Sequence, residues 1–183
     1  MCSPTGRLAA ACLVLFAAGP ASAQTATLVQ TIDCSQFSPP SPDPAGVTYL
    51  TDLDLLLVCD SEVNEMGIYE GVNLFRVTRF GVLVGTATTT LFSNEPTGVT
   101  LEPVSGHVFI TDDDAQEIDE VDPGPDGFHG TLDDTIWVIS TVPFGSIDPE
   151  DVDYDTASGA LHVVDGASGT VYTILPGANG VFD

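Results

Sequence analysis

The sequence predicts an all-β fold: a partial β-propeller of about three four-stranded antiparallel blades, half of a six-bladed ring. Three observations carry this prediction. First, three stretches are versions of one another, Pro44 to Asp60, Pro96 to Asp112 and Pro149 to Asp165. Second, they recur after 52 and then 53 residues, a period in the range of propeller blades. Third, each copy consists of short runs rich in β-branched and aromatic residues, bounded by turn residues. No segment beyond the first two dozen residues shows a 3.6-residue apolar period.

Each repeat divides into four strands. The first strands are 46–49, 98–101 and 151–154, and the second are 55–59, 107–111 and 160–164. Gly106 and Gly159 share one slot in the turn between them, where a positive φ is often required. The third strands are 74–78, 118–121 and 170–175. The fourth are 82–90 and 135–141. An insertion at 61–72 lengthens the first repeat, and a long loop at 122–134 lengthens the second. Pro176 to Asp183 aligns with Pro123 to Gly130 at an offset of 53, so the third repeat stops before a fourth strand. Blades then span about 44–92, 93–145 and 146–183, preceded by an N-terminal strand in 24–43. A closed propeller needs roughly 4–8 blades, and an open half-ring leaves bare strand edges. The expectation is a fragment of a longer protein, a truncated reading frame, or a piece that self-associates through its open edges.

Residues 1–23 read as a secretory signal: Arg7, an apolar run from Leu8 to Ala18, and the small-residue cleavage site Ala21-Ser22-Ala23. The run is too short to span a bilayer as a helix, and no later stretch is long and apolar enough. The expected location is secreted or periplasmic. The chain carries 27 carboxylates against three Lys and Arg, a formal charge of −24. Beyond the leader only Arg76 and Arg79 are basic. Such a surface repels nucleic acid and favours cations. Solvation in a salty medium and divalent-ion binding both account for it. Two cysteines, Cys34 and Cys59, remain after the leader. An even number in an exported chain fits a disulfide between the N-terminal strand and the first blade; two buried free thiols are the alternative.

Two carboxylate patterns bear on function. In the loop from Asp122, carboxylates fall at positions 1, 5 and 12 (Asp122, Asp126, Asp133) and glycine at 6, with Asp134 following. Calcium loops of the EF-hand kind place oxygen ligands and a glycine in these slots. Position 3 is Gly124 and position 12 is Asp, so a hairpin loop with Asx-turns and no ion is the other reading. The second pattern is periodic. Asp43, Glu95 and Asp148 precede each repeat's proline; Asp60, Asp112 and Asp165 close each second strand. Blade topology gathers these six on one end of the ring, at the channel mouth, with Asp113, Asp114 and Glu150 beside them. A cation held there polarises a phosphoryl or ester oxygen; alternatively each Asp caps its own turn. His107 and His162 read as strand residues, His129 as a solvent-exposed loop residue, and Trp137 as packing.

The stretches 95–112 and 148–165 resemble blades of the six-bladed propeller superfamily. Within it they are most similar to NHL-repeat and SdiA-regulated-like exported proteins, with phytase-like and gluconolactonase-like propellers further off. The lactonase-like members hold calcium in the channel with a Glu, Asn and Asp set; the resemblance offers Glu150 and Asp165 for two of these roles, and the three blades hold no full set. The expected function is an exported acidic binding or scaffold module, associated with calcium, with an unknown protein or small-molecule ligand. The alternative is a metal-dependent hydrolase of phosphate esters or lactones. The channel acids repeat from blade to blade, which favours the scaffold.

Overall fold

A computed structural model describes residues 26–62, 67 and 69–182. The expected signal, 1–23, lies outside the described residues. The first blade contains β1 (Pro44–Leu50), β2 (Leu55–Asp60), β3 (Leu74–Thr78) and β4 (Leu83–Ala87). The second contains β5 (Pro96–Leu101), β6 (Val108–Asp112), β7 (Glu117–Asp122) and β8 (Thr135–Ser140). The third contains β9 (Pro149–Asp155), β10 (Ala160–Asp165) and β11 (Thr170–Ile174). Each sheet is antiparallel and ordered as in the sequence, two of four strands and one of three. The chain is a partial β-propeller. Strands β1, β5 and β9 lie side by side at the inner edge.

The period of 52–53 survives into register. Pro44 pairs opposite Asp60, Pro96 opposite Asp112 and Pro149 opposite Asp165, each beside a bulge. A proline offers no ladder N–H, so it fits the first residue of a strand. The bulge then sets the glycine or Asp that follows it toward the neighbouring blade.

Alternation along each second strand divides the core. Leu57 and Cys59, with Leu50 and Leu74, face the second blade and meet Val99, Val108, Ile110 and Val121. Phe109, Ile118 and Ile139 of the second blade meet Val152, Leu161 and Val163 of the third, and Phe182 closes that junction. The opposite face of the first blade presents Val58, Phe75 and Val77, covered by Ile32 and Phe37 of the N-terminal segment. Full burial of each such side chain contributes about 1.5–3 kcal/mol.

This division corrects one sequence expectation. Cys34 and Cys59 are free thiols. Cys59 points into the junction between the first two blades. Cys34 lines a groove on the other face of the same sheet, with Ile32, Val58 and Val77. The intervening sheet keeps the sulfurs apart, so the even cysteine count misled. Burial pushes the Cys59 thiol up to about 12.

The inner strands approach too closely for side chains at two positions. A Cβ on Gly46 would lie 2.9 Å from the Val99 nitrogen and 3.0 Å from Gly98 Cα. One on Gly98 would lie 2.6 Å from Asp151 Cα. Asp151 holds the equivalent place in the third blade and is exposed. The trailing face there is also more polar, with His162 where the first two blades have Leu57 and Phe109. The blade junctions thus demand glycine, and the open face accepts a side chain.

Gly98→Ala is expected to lower unfolding stability by about 1–3 kcal/mol, because the added methyl meets the Asp151 backbone at 2.6 Å as well as the side-chain oxygens of Asp151 and Thr111. Urea titration of the variant checks this; a loss below about 0.5 kcal/mol, the size of an ordinary surface change, contradicts the close packing.

Candidate functional site

The acids of the propeller end separate into two kinds. Asp60, Asp112 and Asp165 are buried and held by three or four hydrogen bonds each. Ser41 donates its hydroxyl to Asp60 Oδ2, which also accepts the Asp43 N–H at 2.8 Å. Ser93 donates to Asp112 Oδ2 at 2.6 Å, joined by the N–H groups of Asn94 and Glu95 at 3.2 and 3.3 Å. Ser146 donates to Asp165 Oδ2 at 2.7 Å, joined by Ile147 and Asp148 at 2.8 and 3.0 Å. The second oxygen of each holds the following turn, through Glu62, Ala115 and Ser168 respectively. Hydrogen bonds from Ser168, Ser146 and Asp148 hold Asp165 well below the ordinary carboxylate range. These three carboxylates are clasps. The serines stand three residues before each repeat's proline, a pattern visible in the aligned repeats.

The remaining acids of this end behave differently. Asp113, just after β6, Asp148, just before β9, and Glu150 on β9 bring one carboxylate oxygen each within 4.8 Å of the others. It is the one such group of three among the described residues. Burial raises the Asp113 carboxyl, and the charges of Asp114 and Asp148 raise it further. Burial raises Glu150, followed by the charges of Asp148, Asp113 and Asp165. Gly166 makes room for the cluster: a Cβ there would lie 2.7 Å from Glu150 Oε1 and 2.8 Å from Asp148 Oδ2. The first two blades carry Ser61 and Asp113 at that position. Unlike the clasps, this cluster forms at one blade junction, because Asp113, Glu150 and Gly166 do not repeat although Asp148 does. Asp43 and Glu95 are not part of it.

The loop from Asp122 turns its carboxylates on itself. Asp122 accepts the Gly124 N–H at 3.0 Å, and Asp126 accepts that of Phe128 at 2.8 Å. Asp133 accepts Asp126 N–H at 3.2 Å and the Thr131 hydroxyl at 2.7 Å. Asp134 accepts the Gly130 and Thr131 N–H groups at 2.6 and 3.2 Å. Asp122 and Asp126 cap Asx-turns, Asp133 and Asp134 brace the loop across itself, and the four form no common ligand cage among the described residues. The loop docks on the first blade instead: the Arg76 guanidinium lies 4.2 Å from the centre of the Phe128 ring. His129, expected in solvent, is buried; its Nε2 meets the Gly106 carbonyl at 2.9 Å, and burial lowers its pKa.

One acid escaped sequence reasoning. Asp119 on β7 pairs with Ile110, as Phe75 pairs with Val58 and Tyr172 with Val163. It therefore holds an aromatic position of the other two blades. It is wholly buried, and neither oxygen has a hydrogen-bond partner. Burial, then the charges of Glu117 and Asp112, push its carboxyl up to about 8. It is a neutral acid at pH 7, the form that costs least inside a protein.

No family model matches the chain, and no curated protein matches it. Among solved structures it is similar to a chain of a nidogen/laminin complex, with 17% identity and a TM-score of 0.53 over 78% of this chain and 47% of that one. It thus spans less than half of that chain's length. Virginiamycin B lyase from Staphylococcus aureus aligns at 14% identity and a TM-score of 0.43, over 74% of this chain and 42% of that one. At these identities the likeness is one of β-propeller fold.

The raised pKa of Asp119 has a definite sign. Its folded value lies above an unfolded value of about 3.9, so its contribution is full below pH of about 4 and declines as pH rises toward about 8. Asp119→Asn is expected to become steadily more stable relative to the parent across that window, measured by urea titration at stepped pH. Parallel stability curves contradict the assignment.

Proposed function

We propose that this chain is an exported acidic β-propeller module that binds calcium at Asp113, Asp148 and Glu150 and presents the bound ion to a protein or small-molecule ligand. The observation that supports it most is the division of the acids. The clasp carboxylates are already engaged by three or four hydrogen bonds each, whereas Asp113, Asp148 and Glu150 face one another with nothing basic among them, and the Asp113 and Glu150 carboxyls are raised. Three hard oxygen donors on two loops and a strand end suit calcium, which accepts irregular oxygen shells completed by carbonyls and water. A dication there relieves the mutual repulsion that adds to burial in raising the Asp113 and Glu150 carboxyls. The leader sequence supports export, and an extracellular calcium supply tolerates a weak site. The kinship this reading favours is with NHL-repeat and SdiA-regulated-like exported proteins, on the resemblance of residues 95–112 and 148–165.

Calorimetric titration is expected to give a dissociation constant of roughly 0.1–1 mM, the range of extracellular calcium modules. Glu150→Gln combined with Asp148→Asn is expected to abolish the heat while leaving the circular dichroism spectrum unchanged. Absence of heat with the parent protein, or heat that persists in the double variant, contradicts the site.

A further inference from the structure

We infer that the cleft between the second and third blades, toward the opposite ends of the strands from the acid cluster, is a binding site for a small organic ammonium cation. The cleft has a volume of about 370 Å³ and is lined by Glu102, His107, Glu120, Trp137, Tyr154 and Phe182. Its aromatic walls are fixed by stacking. Trp137 stacks on His107 with ring centres 5.8 Å apart, and Tyr154 on Phe109 at 6.0 Å with the rings nearly parallel. Phe182 meets Phe109 edge-on at 5.4 Å. Trp137 nevertheless remains 40% exposed.

The charge of the cleft selects the ligand. The His107 Nδ1–H donates to Glu120 Oε1 at 2.7 Å, and its Nε2 lies 3.8 Å from Asp122 Oδ2. Glu102 stays ionised: burial raises its carboxyl, but hydrogen bonds from Ser105 and Val104 outweigh this and hold it below the ordinary value. Two carboxylates line the cleft and a third stands at its rim. Against them is one imidazole, so the cleft is negative whether or not His107 is protonated. Aromatic faces beside carboxylates attract a cation that carries its own apolar surface, through the ring quadrupole and direct charge attraction. A hard metal ion gains little from the rings. A neutral ligand leaves the carboxylates uncompensated. An anion is repelled.

This site is unrelated to the repeat: the equivalents of His107, Glu120 and Trp137 in the first blade are Leu55, Arg76 and Gly85. The first blade carries a cation where the second carries Glu120. The aromatic and acidic wall therefore belongs to one blade junction.

The chain has a single tryptophan, so Trp137 fluorescence reports on this cleft alone. Choline serves as the probe, with 3,3-dimethylbutan-1-ol as its uncharged isostere, at constant ionic strength and without divalent ions. Choline is expected to change the emission saturably and to bind roughly tenfold more tightly than the isostere, the ratio that one cation–π and charge contact provides. Glu120→Gln is expected to reduce that preference severalfold. Equal response to both compounds, or no saturable response to choline, overturns the inference. The comparison of the two probes on the parent protein decides the matter even if the variant folds poorly.

Discussion

A carboxylate buried at the end of each second strand is the constraint on which the rest of this architecture depends. A charge removed from water is tolerated only when hydrogen bonds replace its hydration. Asp60, Asp112 and Asp165 meet that demand by drawing in a serine 19 residues earlier in the chain, together with N–H groups of the loop that enters the first strand. The loop is thereby fixed against the second strand of its own blade. The proline that follows begins the inner strand, the bulge comes next, and Gly46 or Gly98 is delivered against the neighbouring backbone. The clasp also reaches the preceding blade. Thr89 Oγ1 donates to the Ser93 carbonyl at 2.8 Å, and Thr141 Oγ1 lies 2.9 Å from that of Ser146. Both threonines are buried. Each junction between blades is therefore a continuous polar chain running beside an apolar one.

The architecture was legible because its determinants repeat. Strand alternation, the proline at each inner-strand start and the closing Asp recur at 52–53 residues, and alignment exposes them without coordinates. What failed to show was everything that depends on which face of a sheet a residue meets. Cys34 and Cys59 are close in the chain but separated by a sheet. The Asp122 loop has calcium-like spacing, yet its N–H groups reach the carboxylates first, because a tight glycine-rich turn presents donors on the inside. His129 is drawn under that loop. Asp119 reads as one more acid in an acidic chain, and only the register reveals that it replaces Phe75 and Tyr172 in the core.

The same distinction governs the reading of function. Residues that recur in every blade are explained by what every blade needs, and the clasp acids belong there. Residues that break the repeat are the better guide. Gly166 replaces a side chain and opens space beside Asp148 and Glu150. Glu120 stands where the first blade has Arg76, facing Trp137 across the pairing of β7 and β8. Both departures lie at the junction of the second and third blades, one at the end that carries the acids and one on the outer flank. The fold supplies a rigid frame of paired strands, and its chemistry is confined to the places where the frame is not copied.

A double-mutant cycle on Ser93 and Asp112 tests the central claim most directly. Ser93→Ala, Asp112→Asn and the combined variant are unfolded in urea beside the parent protein. If the clasp positions the blade, the two changes are coupled by about 1–3 kcal/mol, the scale of a buried hydrogen bond to a charged group. If the two losses add to within about 0.5 kcal/mol, the serine and carboxylate act independently and the account of how the blades are joined is wrong.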